Sequence, residues 1–251
     1  MDFFELKNIS EQTMQLVNPS SAEKLLRAGR LAGMGPGSRV IDFGTGFAEP
    51  LALWASELGV SGVGIDIRPH ACERARARLA ELGVAERVEI VCDDGANYAF
   101  APASFDFATC IGATFIWDDG LRGALRAMRA ALKPGGRIVV GEAYWRTPMV
   151  PPEFAQPMTE FRTEAELLAI MHEEGYELAT VMHASRAEWD RYESDNWLGF
   201  LKWLEENPEH PERQQVVDQL HEDQESYLRY GRYYFGWALY VLYPAPQVSF
   251  V

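Results

Sequence analysis

Val40-Ile41-Asp42-Phe43-Gly44-Thr45-Gly46-Phe47-Ala48-Glu49 is the stretch whose reading decides the fold. A short apolar run closes on Asp42-Phe43, a glycine turn follows, and a helical pattern opens at Ala48. Such a turn lets a ligand approach the backbone and presents the unpaired N–H groups of a helix N-terminus. The neighbouring residues narrow the ligand. A dinucleotide-binding G-x-G-x-x-G would need its third glycine where Glu49 stands, and a phosphate loop would need Gly-Lys-Ser/Thr, which is absent. Asp42 points the same way, because a carboxylate is unfavourable beside a pyrophosphate and favourable beside an ammonium or sulfonium group.

Outward from this turn the chain alternates in kind. Strands are read at 39–43, 62–67, 88–92, 105–111 and 137–142, and helices at 48–58, 69–82 and 121–132. That spacing implies βαβ units and a parallel sheet covered on both faces. Residues 163–174 read as a helix, 178–185 as a sixth strand and 237–243 as a last strand. Between them, 186–232 is charged and aromatic with helical spacing, broken at Asn207-Pro208-Glu209-His210-Pro211. Upstream, 10–33 reads as helical, interrupted at Asn18-Pro19-Ser20-Ser21, where a serine can cap the next helix.

With 23 basic and 37 acidic side chains the formal net charge is −14, a balance that disfavours a phosphate-backbone partner. At 47% hydrophobic and 12% aromatic, 251 residues can bury one large core. Cys72, Cys92 and Cys110 make neither complete pairs nor a CxxC, so a disulfide framework and a metal knuckle are not expected. No signal peptide and no apolar run of membrane length is read, and a soluble cytoplasmic protein is the expectation.

The run VIDFGTGFAEP resembles the first motif of class I S-adenosylmethionine (SAM)-dependent methyltransferases, D/E-x-G-x-G-x-G, with Ala48 where the third glycine usually stands. The resemblance continues in order from Asp42 to Glu142. It implies a Rossmann-like α/β fold: a seven-stranded, mostly parallel sheet with an antiparallel last strand and a helical lid insertion. One domain is expected, divided into an N-terminal helical segment (1–34), a cofactor core (35–145), a helix and sixth strand (146–185), a lid (186–236) and a last strand with tail (237–251). By resemblance, Asp42, Gly44, Thr45 and Gly46 cradle SAM. Asp66, with Ile67 beside it, meets the ribose hydroxyls. Asp94 meets the adenine amino group, Gly95 and Ala96 lie beside its ring, and Cys110 and Gly112 meet the methionine part. Lys133-Pro134-Gly135-Gly136 resembles the turn before the fifth strand in these enzymes. No metal is expected.

The D/N/S-P-P-Y/F motif of adenine-specific DNA methyltransferases is missing after the fourth strand, and Pro151-Pro152-Glu153-Phe154 lies too late to replace it. Asp195-Asn196 sits inside a charged helical stretch, outside the place where a catechol-type metal site would need it. A small-molecule acceptor is therefore expected, methylated on N, O or S, with S-adenosyl-L-homocysteine as the second product. Asn18-Pro19, GEAYW, WDRYESDNW and FGWALY make the chain similar to uncharacterised bacterial small-molecule methyltransferases. Because ligands of open α/β sheets lie at the carboxyl ends of the strands, Glu142 is the candidate base or acceptor-positioning residue. Asn18, Trp117, Tyr144, Trp145, Trp189, Tyr192 and Trp197 are candidate acceptor contacts. His183 reads as a packed or exposed strand residue and His70 as solvent-facing. A homodimer is an open expectation. Two alternatives stand: a SAM- or nucleotide-binding regulator without turnover, and an NAD-linked oxidoreductase.

Overall fold

A computed structural model describes residues 1–246; the end of the expected tail, 247–251, lies outside the described residues. The strands are β1 (Arg39–Phe43), β2 (Ser61–Asp66), β3 (Val88–Cys92), β4 (Phe105–Ile111), β5 (Leu132–Trp145), β6 (Tyr176–His183) and β7 (Phe235–Pro244). They form one sheet in the order β3-β2-β1-β4-β5-β7-β6, with β7 antiparallel to both neighbours and the other pairings parallel. Strand order reverses between β1 and β4. Ligand crevices in open α/β sheets lie at such a switch point, beyond the carboxyl ends of the strands.

The helices are α1 (Phe3–Ser10), α2 (Ala22–Ala32), α3 (Glu49–Leu58), α4 (Pro69–Glu81), α5 (Leu121–Ala131), α6 (Pro152–Ala155), α7 (Glu164–Glu173), α8 (Arg186–Glu206), α9 (Arg213–Ser226) and α10 (Arg232–Tyr234). The alternation along β1 shows why the sheet is covered on both sides. Val40 belongs to a core with Leu25 of α2, Leu51 and Trp54 of α3 and Leu79 of α4. Ile41 and Phe43 belong to the opposite core, with Leu125 and Met128 of α5 and Leu167 and Met171 of α7. Successive side chains of a strand point to opposite faces, so an unbroken apolar strand needs both layers.

Two expectations are corrected and one helix is added. Residues 10–33 are not one interrupted helical region: a helix ends at Ser10, residues 11–21 are irregular, and α2 starts after Ser21, whose hydroxyl accepts from the Lys24 N–H at 3.4 Å. Pro19 disfavours helical geometry at Asn18, which fixes that gap. Helix α1 itself was not read, although Asp2 and Glu5 form a capping box, each carboxylate accepting from the other's backbone N–H. The fifth strand is longer than 137–142. It includes Lys133–Gly136 as an irregularity, with Phe105 opposite Leu132 and Phe107 opposite Arg137, and it continues to Trp145 because β7 pairs along it as far as Phe235.

The N-terminal segment and the 186–236 insertion share a core of their own. Leu6 and Ile9 of α1 pack with Phe200 and Leu204 of α8 and Val216 and Leu220 of α9. Gly199 permits the contact: a Cβ there would lie 2.0 Å from the Ser10 carbonyl oxygen. Helix α9 then passes into a π-helical turn, Tyr227–Gly231, which leads through α10 into β7.

Candidate active site

The glycine turn after β1 is held by the end of β2. Thr45 N–H donates to the Ile65 carbonyl at 2.9 Å, and Gly46 N–H donates to Asp66 Oδ2 at 2.8 Å. The other Asp66 oxygen accepts from Arg68 N–H at 2.9 Å. Asp42 lies beneath the turn, 2% exposed, accepting from the hydroxyls of Thr45 at 2.7 Å and Thr109 at 2.5 Å. Burial pushes its carboxyl up to about 6, and the nearby Asp66 charge adds to the rise. Ala48 adopts φ 57, ψ 22, so the third glycine position of the resemblance is a left-handed residue. The substitution is felt in the backbone as well as in side-chain room. Glu49, the residue that breaks the dinucleotide pattern, is bound in fork geometry by Arg78 of α4, at 2.7 and 3.1 Å.

A cavity of about 560 Å³ opens beside this turn. Of the expected cofactor residues it is lined by Gly44, Gly46, Asp66, Ile67, Asp94, Gly95 and Gly112. Asp94 shapes its own turn, accepting from Ala96 N–H at 2.9 Å and from Asn97 Nδ2 at 2.6 Å. Four expected contacts stand elsewhere. Asp42 and Thr45 are absent from its wall and face a small adjoining void of about 20 Å³ instead. Cys110 is fully buried, its thiol held well above the ordinary range by burial, and Ala96 is exposed and outside the cavity wall. Asp42 and Thr45 stand behind the turn as its braces, outside the cavity wall.

The cavity has residues that sequence reasoning did not single out. Asp66, Arg68, Glu11 and Lys7 form a chain of ion pairs at 3.5, 2.7 and 3.0 Å. Arg74 adds hydrogen bonds at 3.1 Å to the carbonyls of Glu11 and Gln12 and lies 3.9 Å from the centre of the Phe47 ring. These contacts fasten the N-terminal segment over the strand ends. Arg68, two residues beyond the acid, was the available signal; nothing local in sequence connects it to Glu11.

A second cavity of about 560 Å³ shares Gly112, Val17, Phe115 and Tyr192 with the first. Of the expected acceptor contacts it is lined by Asn18, Trp189 and Tyr192, and Glu142 lies in its wall. Asn18 Oδ1 accepts from Ser20 N–H at 3.1 Å, while Arg191 of α8 donates to the Asn18 and Ser20 carbonyls at 3.3 and 2.8 Å. Glu142 accepts from the Thr114 hydroxyl and, at 3.2 Å, from Ala143 N–H. Burial nevertheless pushes its carboxyl up to about 7. Gly112 N–H donates at 2.9 Å to the carbonyl of Gly141, the residue before Glu142.

Four aromatic expectations fail to reach this cavity. Trp117 turns edge-on to Phe43 at 5.5 Å, within the core between β1 and α5. Tyr144 lies under Gly236 and beside His183, and Trp145 packs among Phe154, Phe161 and Phe235. Trp197 sits edge-on to Tyr227 at 6.0 Å. The longer β5 explains two of these: Tyr144 and Trp145 continue the strand and take its alternating faces instead of turning into the site. Trp237 of β7 and Phe115 take their place in the wall.

The lining fits a cofactor of the expected kind. Carboxylates (Asp66, Asp94) stand at two strand ends as hydrogen-bond acceptors, Ile116 lies against Gly95, and Ile67 adds apolar lining where a flat ring can lie. Comparison with known proteins agrees. Residues 40–136 match the family described as "Methyltransferase domain". The uncharacterised protein YjhP of Escherichia coli (strain K12) is 36% identical over 247 residues, 96% of this chain and 99% of that one. The SAM-dependent methyltransferases of Geobacter sulfurreducens and Thiobacillus denitrificans, each solved in complex with S-adenosyl-L-homocysteine, both superpose with a TM-score of 0.89. They are 35% and 34% identical, covering 96% and 97% of this chain and 98% and 100% of theirs. The chain belongs to the class I SAM-dependent methyltransferases. It is a SAM-dependent enzyme, and the regulator and oxidoreductase alternatives fall away. Among the described residues no helix is long and apolar enough to cross a membrane.

Proposed function

We propose that the protein methylates a nitrogen, oxygen or sulfur atom of a small molecule held in the Glu142 cavity. The observation that carries this reading is the meeting of two cavities at Gly112, one bounded by the glycine turn and Asp66, the other by Glu142. Bound SAM supplies an electrophilic methyl group on a sulfonium. In this reading Asp66 and Asp94 would hold it by its ribose and adenine, with Gly44, Gly46, Ile67, Gly95 and Gly112 along its length. Asp42, Thr45 and Thr109 act one layer behind, fixing the turn.

Gly112 keeps the passage between the cavities open: its φ is +81 and it carries no side chain. In-line displacement at a sulfonium carbon needs positioning and exclusion of water more than covalent help from the protein. Trp189, Tyr192, Trp237 and Phe115 wall off the acceptor side. Glu142 takes the proton released by an N–H, O–H or S–H acceptor as its new bond to the methyl carbon forms and the carbon–sulfur electron pair stays on sulfur. A carboxylate held near 7 is matched to that task at neutral pH.

A panel of amines, phenols and thiols incubated with SAM, followed by S-adenosyl-L-homocysteine formation and mass spectrometry of the product, tests the reading. Methylated heteroatom products are expected. Products methylated solely at carbon would contradict it.

A further inference from the structure

A third cavity, of about 290 Å³, lies between α1, α8 and α9 and is separate from Glu142. Glu193 and Asp223 stand in its wall beside the rings of Phe3, Tyr192, Phe200 and Tyr227. Glu193 accepts no hydrogen bond and forms no ion pair with Lys or Arg among the described residues; burial and the Asp223 charge push its carboxyl up to about 7 against the opposing pull of the Lys7 charge, which also acts on Asp223. Asp223 accepts from Gln219 Nε2 at 2.8 Å. Asn196, only 6% exposed, spends its Nδ2 on the Tyr192 carbonyl at 2.9 Å and leaves Oδ1 without a donor in the same wall. Lys7 also lines the cavity, but its ammonium is bound to Glu11 at 3.0 Å, and Glu11 in turn is bound to Arg68.

Such a lining asks for positive charge and N–H donors. A half-buried carboxylate without a hydrogen-bond partner is costly, and the Asn196 amide oxygen offers a further acceptor in the same wall. Aromatic faces attract cations as well as apolar stems. An anion would meet two carboxylates. A bare metal ion is poorly served, since among the described residues no group of three His, Cys, Asp or Glu could hold one. We propose that this cavity is a second ligand site, taking a small protonated alkylamine whose ammonium meets Glu193, Asp223 and Asn196 Oδ1 and whose alkyl stem lies against the rings. An occupant would touch Tyr192, Lys7 and Phe3, which also line the cofactor cavity.

Calorimetric titration of the full chain with n-butylammonium, and separately with n-butanol, tests this. One saturable site is expected for the amine, with n-butanol about tenfold weaker or worse, as a hydrogen bond to a charged group implies. Glu193→Gln and Asp223→Asn should each weaken the amine by about tenfold, whereas Glu142→Gln should leave its affinity unchanged. Glu193→Gln keeps the side-chain shape and removes an unpaired charge, so its melting temperature should equal or exceed the parent's. Asp223→Asn supplies an independent variant. Absence of saturable binding, equal binding of n-butanol, or loss of binding with Glu142→Gln and retention with Glu193→Gln would overturn the proposal. The last result would assign the amine to the acceptor cavity.

Discussion

The backbone N–H of Gly46 and the carboxylate of Asp66 meet at 2.8 Å, joining the turn after β1 to the end of β2. The same carboxylate bonds Arg68 N–H and lines the cofactor cavity. Replacing Asp66 by alanine therefore removes the brace and, in the proposed reading, a SAM contact together. Each hydrogen bond to a charged group is worth about 1.5–3 kcal/mol, so SAM affinity should fall by at least about tenfold. Calorimetry with SAM checks this, and an unchanged affinity would show that the wrong acid has been assigned.

Ala48 occupies a left-handed conformation and is fully buried. A non-glycine residue there bears a strain of roughly 1–2 kcal/mol. Ala48→Gly relieves that strain, loses one buried methyl and gains unfolded-state entropy, so the net change should stay within about 1 kcal/mol. Ala48→Val adds β-branching to the strained backbone and overpacks a filled site, and should cost more than about 2 kcal/mol. Urea unfolding midpoints of the two variants check the asymmetry. Equal destabilisation by both would refute the conformational explanation.

Gly199 is the contact point between α8 and the end of α1, where a Cβ would stand 2.0 Å from the Ser10 carbonyl oxygen. Gly199→Ala must move one helix off the other. A loss of about 1–3 kcal/mol is expected, as for other overpacked sites. Because α1 carries Lys7 to Glu11 at the cofactor cavity, SAM affinity should weaken in parallel. A melting curve and a SAM titration on one preparation check both effects; a stable variant with parental SAM affinity would separate the cap from the cofactor site.

Glu142 also leaves a signature in stability. Its carboxyl is raised on folding from its ordinary value of 4.5 to about 7, so between those values the folded chain holds a proton that the unfolded chain has released. Its contribution to stability is therefore present below about 4.5 and is lost as pH rises toward 7. Relative to wild type, Glu142→Gln should gain stability as pH rises through this window. A constant difference across the window would mean that the carboxyl is not raised.

The cofactor half was legible because its signals are local. Glycine spacing places the turn, and an acid at the end of β2 and another after β3 fall at one sheet edge wherever parallel strands align. Asp66, Asp94 and Gly112 reach the cavity for that reason. The acceptor half was less legible, since its wall is assembled from segments far apart in the chain. Asn18, Trp189 and Tyr192 arrive because the irregular 11–21 segment is clamped to α8 and α4, contacts with no sequence pattern. Tyr144 and Trp145 lie outside the Glu142 cavity because β5 runs on past Glu142. The strand's true end is set by β7, which follows it nearly a hundred residues later in the chain. The Asp66–Arg68–Glu11–Lys7 chain was missed because ion pairing across the fold leaves no periodicity to read.

The central claim is that Glu142 accepts the proton of the methyl acceptor at the junction beside Gly112. Its most direct test is the pH dependence of kcat/KM for wild type and Glu142→Gln, with an amine, phenol or thiol found in the panel. Wild type should show a rising limb with a midpoint near 7, because the ionised carboxylate is the active form. The variant should lose that limb and fall by about 10²–10⁴-fold at neutral pH, with SAM affinity unchanged. Superimposable pH profiles with similar rates would contradict the claim.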